Sequence, residues 1–119
     1  MQVAVVIPAY KPGTELLELV RELACTSIES TVVVDDGSGQ KFGPLFKEIR
    51  SQARVTLLRH GVNLGKGSAL KTGINHVFCN LPQYLGVVTA DADARPPGNS
   101  RLKSFVRLAC RHSQLNIRN

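Results

Sequence analysis

The sequence predicts an α/β fold, an open parallel sheet with helices on both faces. Three observations lead there. Short β-branched runs alternate with longer segments of helical period, and at least two of those runs are apolar at nearly every position. The polar, glycine-rich clusters fall where the runs end. Continuous apolar strands belong to sheets covered on both faces, and alternation with helices implies parallel pairing through right-handed crossovers.

The elements follow in order. Val3 to Ile7 is an unbroken apolar run and reads as a strand buried on both faces. From Thr14, apolar residues recur at Leu16, Leu17, Val20, Leu23 and Ala24, a one-sided helical stripe. Glu15 and Glu18 lie near its positive N-terminal end. Thr31 to Val34 is a second buried strand, with Asp35-Asp36-Gly37-Ser38-Gly39 as its turn. A weaker helix covers Pro44 to Ser51, and Arg54 to Leu58 reads as a third strand.

Gly65 to Phe78 is the next helical segment. Leu70, Ile74, Val77 and Phe78 lie on one side, while Gly67, Ala69 and Gly73 permit close approach. Tyr84 to Thr89 is the fourth strand and ends in Ala90-Asp91-Ala92-Asp93. A last helical stripe runs through Leu102, Phe105, Val106 and Ala109. The order is β-α-β-α-β-α-β-α, a Rossmann-like arrangement. In such sheets ligands bind beyond the C-terminal strand ends, where the polar clusters of this chain fall.

Composition narrows the classes. At 119 residues the chain is one domain at most. Hydrophobic residues at 43% and charged residues at 20% exclude a disordered profile. No stretch approaches the roughly 18 apolar residues of a membrane span. Pro8 ends the first run before a secretory hydrophobic region forms, so a cytoplasmic location is expected. Cys25, Cys79 and Cys110 are odd in number and widely spaced, which predicts small buried residues rather than disulfides or a zinc site.

The net charge of +6 is unevenly placed. Up to Asp93, nine Lys/Arg balance nine Asp/Glu; residues 94–119 hold six Arg/Lys (from Arg95 to Arg118) and no acid. Such a segment suits phosphates or peripheral contact with an anionic membrane surface, and equally a solvated helix face. Nucleic acid is not expected as a partner, because aromatics make up only 5% and are not interleaved with the basic residues.

The loops carry the chemistry. Pro8 to Gly13 lacks the Gly-x-Gly-x-x-Gly of a dinucleotide site. Gly61 to Ser68 is one residue short of a Walker loop and has Gly67 where a magnesium-binding hydroxyl belongs. What remains is a glycine-rich turn with Lys66 at a helix N-terminus, which fits either a diphosphate cradle or a purely structural turn. Asp35 and Asp36 are adjacent carboxylates, costly to bury together without a cation or donors. One could bind a base or sugar edge, or both could serve an Asx-capped turn. Asp91 and Asp93 project the same way from an extended segment and could reach one hard divalent ion. His60, His76 and His112 show no ligand spacing and read as surface or capping residues. Ser38 and Ser68 have no identifiable base.

Taken together, VVIPAY (Val5 to Tyr10), VVVDDGS (Val32 to Ser38), NLGKGSALKTGI (Asn63 to Ile74) and TADAD (Thr89 to Asp93) resemble family-2 glycosyltransferases of GT-A-type fold. The likeness is nearest to the branch of dolichyl- and polyprenyl-phosphate sugar synthases and extends to Asp93. It implies that Pro8, Ala9 and Tyr10 line the base and ribose. It also implies that Asp35 binds the base edge, with Asp36 and Gly37 shaping that pocket. Gly65 and Lys66 would lie near the nucleotide. Asp91 and Asp93 would hold Mg²⁺ or Mn²⁺ against the diphosphate of a nucleoside-diphosphate sugar. The implied reaction is inverting transfer to an acceptor such as a polyprenyl phosphate.

The chain departs from the family after Asp93. Relatives continue with a segment like Gly-Gln-His-Pro-Pro-Glu-Asp; here Ala94-Arg95-Pro96-Pro97-Gly98-Asn99-Ser100 follows, without the two acids. The half that supplies the acceptor site and catalytic base is not recognisable, so no catalytic residue is assigned. Residues 1–119 are therefore expected to form a single, incomplete nucleotide-sugar-binding domain that pairs with a copy or a completing chain. A non-catalytic nucleotide-binding remnant is the alternative. A nucleotidyltransferase fits less well, for want of a glycine-rich loop after the first strand.

Overall fold

The structure, a computed structural model, describes residues 3–81 and 86–92 in full and the backbone of 107–110. Its elements are β1 (Val3–Ala9), α1 (Thr14–Ala24), β2 (Ser30–Asp36), a 3₁₀ turn (Gln40–Phe42), α2 (Gly43–Arg50), β3 (Val55–His60), α3 (Lys66–Asn80), β4 (Gly86–Thr89) and β5 (Arg107–Cys110). They form one sheet in the order β3-β2-β1-β4-β5. The first four strands are parallel, as the α/β alternation predicts. The chain steps outward from β1 to β2 to β3, then returns to the other side of β1 for β4. That reversal creates a crevice at the C-terminal ends of β1 and β4.

The continuous apolar runs are explained by the two cores they face. Val5, Ile7 and Ala9 of β1 and Val33 of β2 pack with α1 and α2 on one side. Ala4, Val6, Val32 and Val34 point to the other side, against Ala69 and Val77 of α3. A Cβ on Gly73 would run into the side chains of Val6 and Val34, so α3 lies close on the sheet because this position is glycine. Leu70, Ile74 and Phe78 pack at the edge of that core, half-buried.

The structure corrects several expectations. The last helical stripe is not found at Ala109: Arg107–Cys110 is a strand antiparallel to β4, with Ala109 opposite Val87. An open edge on β4 offers ladder hydrogen bonds that override a short 3.6-residue pattern, and an antiparallel edge on a parallel sheet is common. Leu102, Phe105 and Val106, and Tyr84 at the expected start of β4, lie outside the described residues. The second strand runs on through Asp35 and Asp36, so both carboxylates are strand residues rather than turn residues. The third strand extends to His60. Cys25 and Cys79 are exposed, not buried: one caps the C-terminus of α1 and the other lies on the solvent side of the last turn of α3.

Candidate nucleotide-sugar site

A hollow of about 310 Å³ opens at the crevice. Pro8 and Ala9 at the end of β1 and Tyr10 beyond it form one wall. Asp36, Asn63, Gly65 and Lys66 form a second, and Asp91 just past β4 forms the third. Residues from three separate loops thus meet because parallel strands deliver all their C-terminal ends to one rim.

The β1 wall is shaped by a backbone reversal. Lys11 adopts a left-handed conformation (φ 48°), and its N–H donates to Ser38 Oγ at 2.8 Å. Tyr10 stays 44% exposed, with the Lys11 ammonium 5.2 Å from its ring centre. An exposed aromatic at a pocket mouth offers a flat face to a planar ligand.

Strand alternation separates the two adjacent aspartates. Asp35 shares the α2 side with Val33. Its Oδ1 accepts the Ser38 N–H at 2.9 Å and its Oδ2 lies 3.8 Å from Arg59 Nε. It lines a second, smaller hollow and not the cleft. Asp36 shares the α3 side with Val34. Its Oδ1 accepts from Leu64 N–H (2.9 Å) and faces His60 Nδ1 (2.7 Å). Its Oδ2 accepts from Gly65 N–H (2.9 Å) and Asn63 Nδ2 (3.0 Å). The mutual repulsion expected of this pair is thus relieved by opposite orientation and by donors from the protein itself. Burial pushes the Asp36 carboxyl upward, but the Leu64 N–H, the His60 side chain and the Gly65 N–H outweigh it and hold its pKa below the usual value.

The glycines here have distinct tasks. Gly37 (φ +72°) follows Asp36, and a Cβ there would collide with the backbone of Val62 and Asn63. The turn after β2 can therefore lie against the loop before α3. Gly65 (φ +102°) gives its N–H to Asp36 and accepts the first helical N–H, from Ala69, at 3.0 Å. Lys66 opens α3, and its Nζ lies 3.4 Å from Asp91 Oδ2, both side chains well exposed. Asp93, the second half of the Asp-x-Asp pair, lies outside the described residues. Among the described residues no three metal-ligating side chains cluster.

Sequence reasoning missed one wall residue and a brace. His60 is not a surface residue: its side chain is 9% exposed, and its Nε2 lies 2.8 Å from Thr72 Oγ1. Because an ionised carboxylate only accepts, Nδ1 donates to Asp36, and His60 links β2 to α3. Asn63 lines the cleft and fastens its loop to Asp36. Periodicity carries no signal for either residue. For His60 the signal appears only in the strand register, which sets it opposite Asp36.

Comparison with known proteins agrees with this architecture. The undecaprenyl-phosphate 4-deoxy-4-formamido-L-arabinose transferase of Edwardsiella ictaluri is 35% identical over 102 residues, covering 80% of this chain and 30% of that protein. An uncharacterized protein of Methanocaldococcus jannaschii is 34% identical over 94 residues, covering 79% and 36%. The chain spans about a third of the length of these curated relatives. The crystal structure of S. aureus TarS 1–349 shares the fold at a TM-score of 0.65 and 22% identity, covering 87% of this chain and 30% of that one. The same protein in complex with UDP superposes at 0.64 over 78% of this chain and 28% of that one. The family model for glycosyl transferase family 2 matches residues 4–117, and the chain belongs to that family.

Proposed function

We propose that this chain is the donor-binding part of a glycosyltransferase, holding a nucleoside-diphosphate sugar in the cleft between β1 and β4. The observation that carries this reading is the meeting of Lys66 and Asp91 across a cleft whose other wall is Tyr10. A diphosphate needs positive charge and N–H groups, which the start of α3 and Lys66 offer. A base needs a flat apolar face, which Pro8, Ala9 and Tyr10 offer. Asp36 and Gly37 set the depth of that pocket. Asp35, whose carboxylate faces the α2 side, acts on it by holding the turn to Ser38. UDP and UDP-GlcNAc complexes of TarS support a nucleotide-sugar ligand, and the name of the Edwardsiella relative supports a polyprenyl-phosphate acceptor.

Asp91 also fits a divalent ion. It is a hard oxygen donor, 41% exposed on the cleft wall, and already faces a cation. Mg²⁺ or Mn²⁺ is commonly held by one or two carboxylates together with substrate phosphates. Asp91 and Asp93 would hold the ion, which when bound would neutralise the departing nucleoside diphosphate. Lys66 would release Asp91 and turn to the phosphates. No side chain of residues 1–119 is assigned as the base that activates the acceptor. No described helix is long and apolar enough to cross a membrane. Calorimetry with UDP, with and without Mn²⁺, tests the reading. Saturable binding strengthened by the metal is expected, and no binding under either condition would refute it.

A further inference from the structure

We propose that the second hollow, on the α2 side of the sheet and lined by none of the cleft residues, is a binding site for a phosphate group. It lies between α2 and β3, encloses about 170 Å³, and is lined by Lys47, Arg50 and Arg59 around a floor that includes Phe46 and Leu57. Three cations face it against one carboxylate, Asp35, whose side chain is 5% exposed. Among the described residues, Lys47 and Arg50 form no ion pair. Neighbouring Glu48 pairs instead with Arg21 of α1, at 3.0 Å. Arg59 approaches Asp35 only through Nε, at 3.8 Å. Its two terminal nitrogens make no hydrogen bond among the described residues.

This arrangement differs from an ordinary solvated face. Like charges that converge on one concavity repel one another unless an anion lies between them, and scattered surface lysines do not share a hollow. Arg50 and Arg59 carry planar forks suited to bidentate contact with phosphate oxygens, and Lys47 adds a point charge. The volume suits a phosphate or small phosphate ester and is small for a nucleotide. The same group could arrive free in solution or as the headgroup of an acidic lipid. None of its residues lines the cleft, and only Asp35 is shared with the donor reading, through its hold on the turn at Ser38.

The test uses the whole 119-residue chain, isotope-labelled for NMR. It is titrated with inorganic phosphate and, separately, sedimented with phosphatidylcholine vesicles with and without phosphatidic acid. Saturable shifts centred on residues 47–50 and 57–59, and not on Tyr10 or Lys66, are expected for a free phosphate. Sedimentation that requires phosphatidic acid is expected if the phosphate belongs to a lipid. In either case the double variant K47Q/R50Q should weaken binding about tenfold or more. Its melting temperature and UDP affinity should stay unchanged, which separates this site from the donor cleft and from unfolding. The proposal is overturned by shifts that map to the cleft, by binding that survives the double variant, or by no response to either probe.

Discussion

The two carboxylates that line the cleft, Asp36 and Asp91, are built in opposite ways. Asp36 is buried, and four donors from β3 and the following loop converge on its two oxygens. Asp91 is well exposed and faces an ammonium at 3.4 Å, on a side chain that is itself 62% exposed. One wall is fixed before any ligand arrives, and the other can exchange partners. The proposed metal-assisted diphosphate site would need both properties. The base and phosphate must meet rigid geometry, while the carboxylate that takes a cation must be free to leave its resting partner.

The largest expected effect breaks the rigid side. Asp36→Ala would leave the N–H groups of Leu64 and Gly65, together with Asn63 and His60, without their acceptor. Each unsatisfied buried donor costs about 1–3 kcal/mol, so a loss on the order of 3 kcal/mol or more is expected. Urea denaturation is the measurement. If Asp36→Ala does not fold, Asp36→Asn, which keeps the shape and half the acceptors, should fold with a smaller loss. A full-strength variant would mean that the network is ornamental. His60→Gln, which removes the brace to Thr72 while keeping a donor, should cost less, about 1–2 kcal/mol.

The same network predicts a pH response. The Asp36 pKa is depressed in the fold, so its contribution is complete above the ordinary carboxylate value. As pH falls below about 4, the unfolded chain binds a proton more readily than the folded one, and that contribution is lost. Stability should therefore drop more steeply in this window for the wild type than for Asp36→Asn. Parallel acid titrations of the two proteins would contradict the assignment.

How far the sequence reached is clearest at particular residues. The unbroken run from Val3 to Ile7 foretold a strand covered on both faces, because burial demands apolar side chains at both parities. The four motifs located the rim of the cleft for the same reason: polar and glycine residues must cluster where strands end. The partition of Asp35 from Asp36 was not legible, since it depends on how far β2 continues. One more residue of strand decides which face each carboxylate takes. His60 was misread because its burial comes from Thr72 on a helix twelve residues on, which no local pattern encodes. The strand at Arg107–Cys110 was missed because an edge vacancy, not the sequence around it, selects its conformation.

The smallest effect on stability sharpens the comparison most. Lys66 and Asp91 form an exposed pair, and such pairs contribute about 0–1 kcal/mol, so loss of this ion pair should cost no more than about 1 kcal/mol in urea. Its effect should appear in binding instead. If Asp91 takes Mn²⁺ beside a diphosphate, the metal-dependent gain in UDP affinity should vanish in Asp91→Ala. Affinity without metal should hold or rise, because Lys66 is released to the phosphates. Lys66→Ala should show the reverse, with weaker metal-free binding and a retained response to Mn²⁺. Calorimetry on the three proteins reads all four quantities. A metal response that persists without Asp91 would place the ion on other side chains, and the adjustable wall of the cleft would then lie elsewhere.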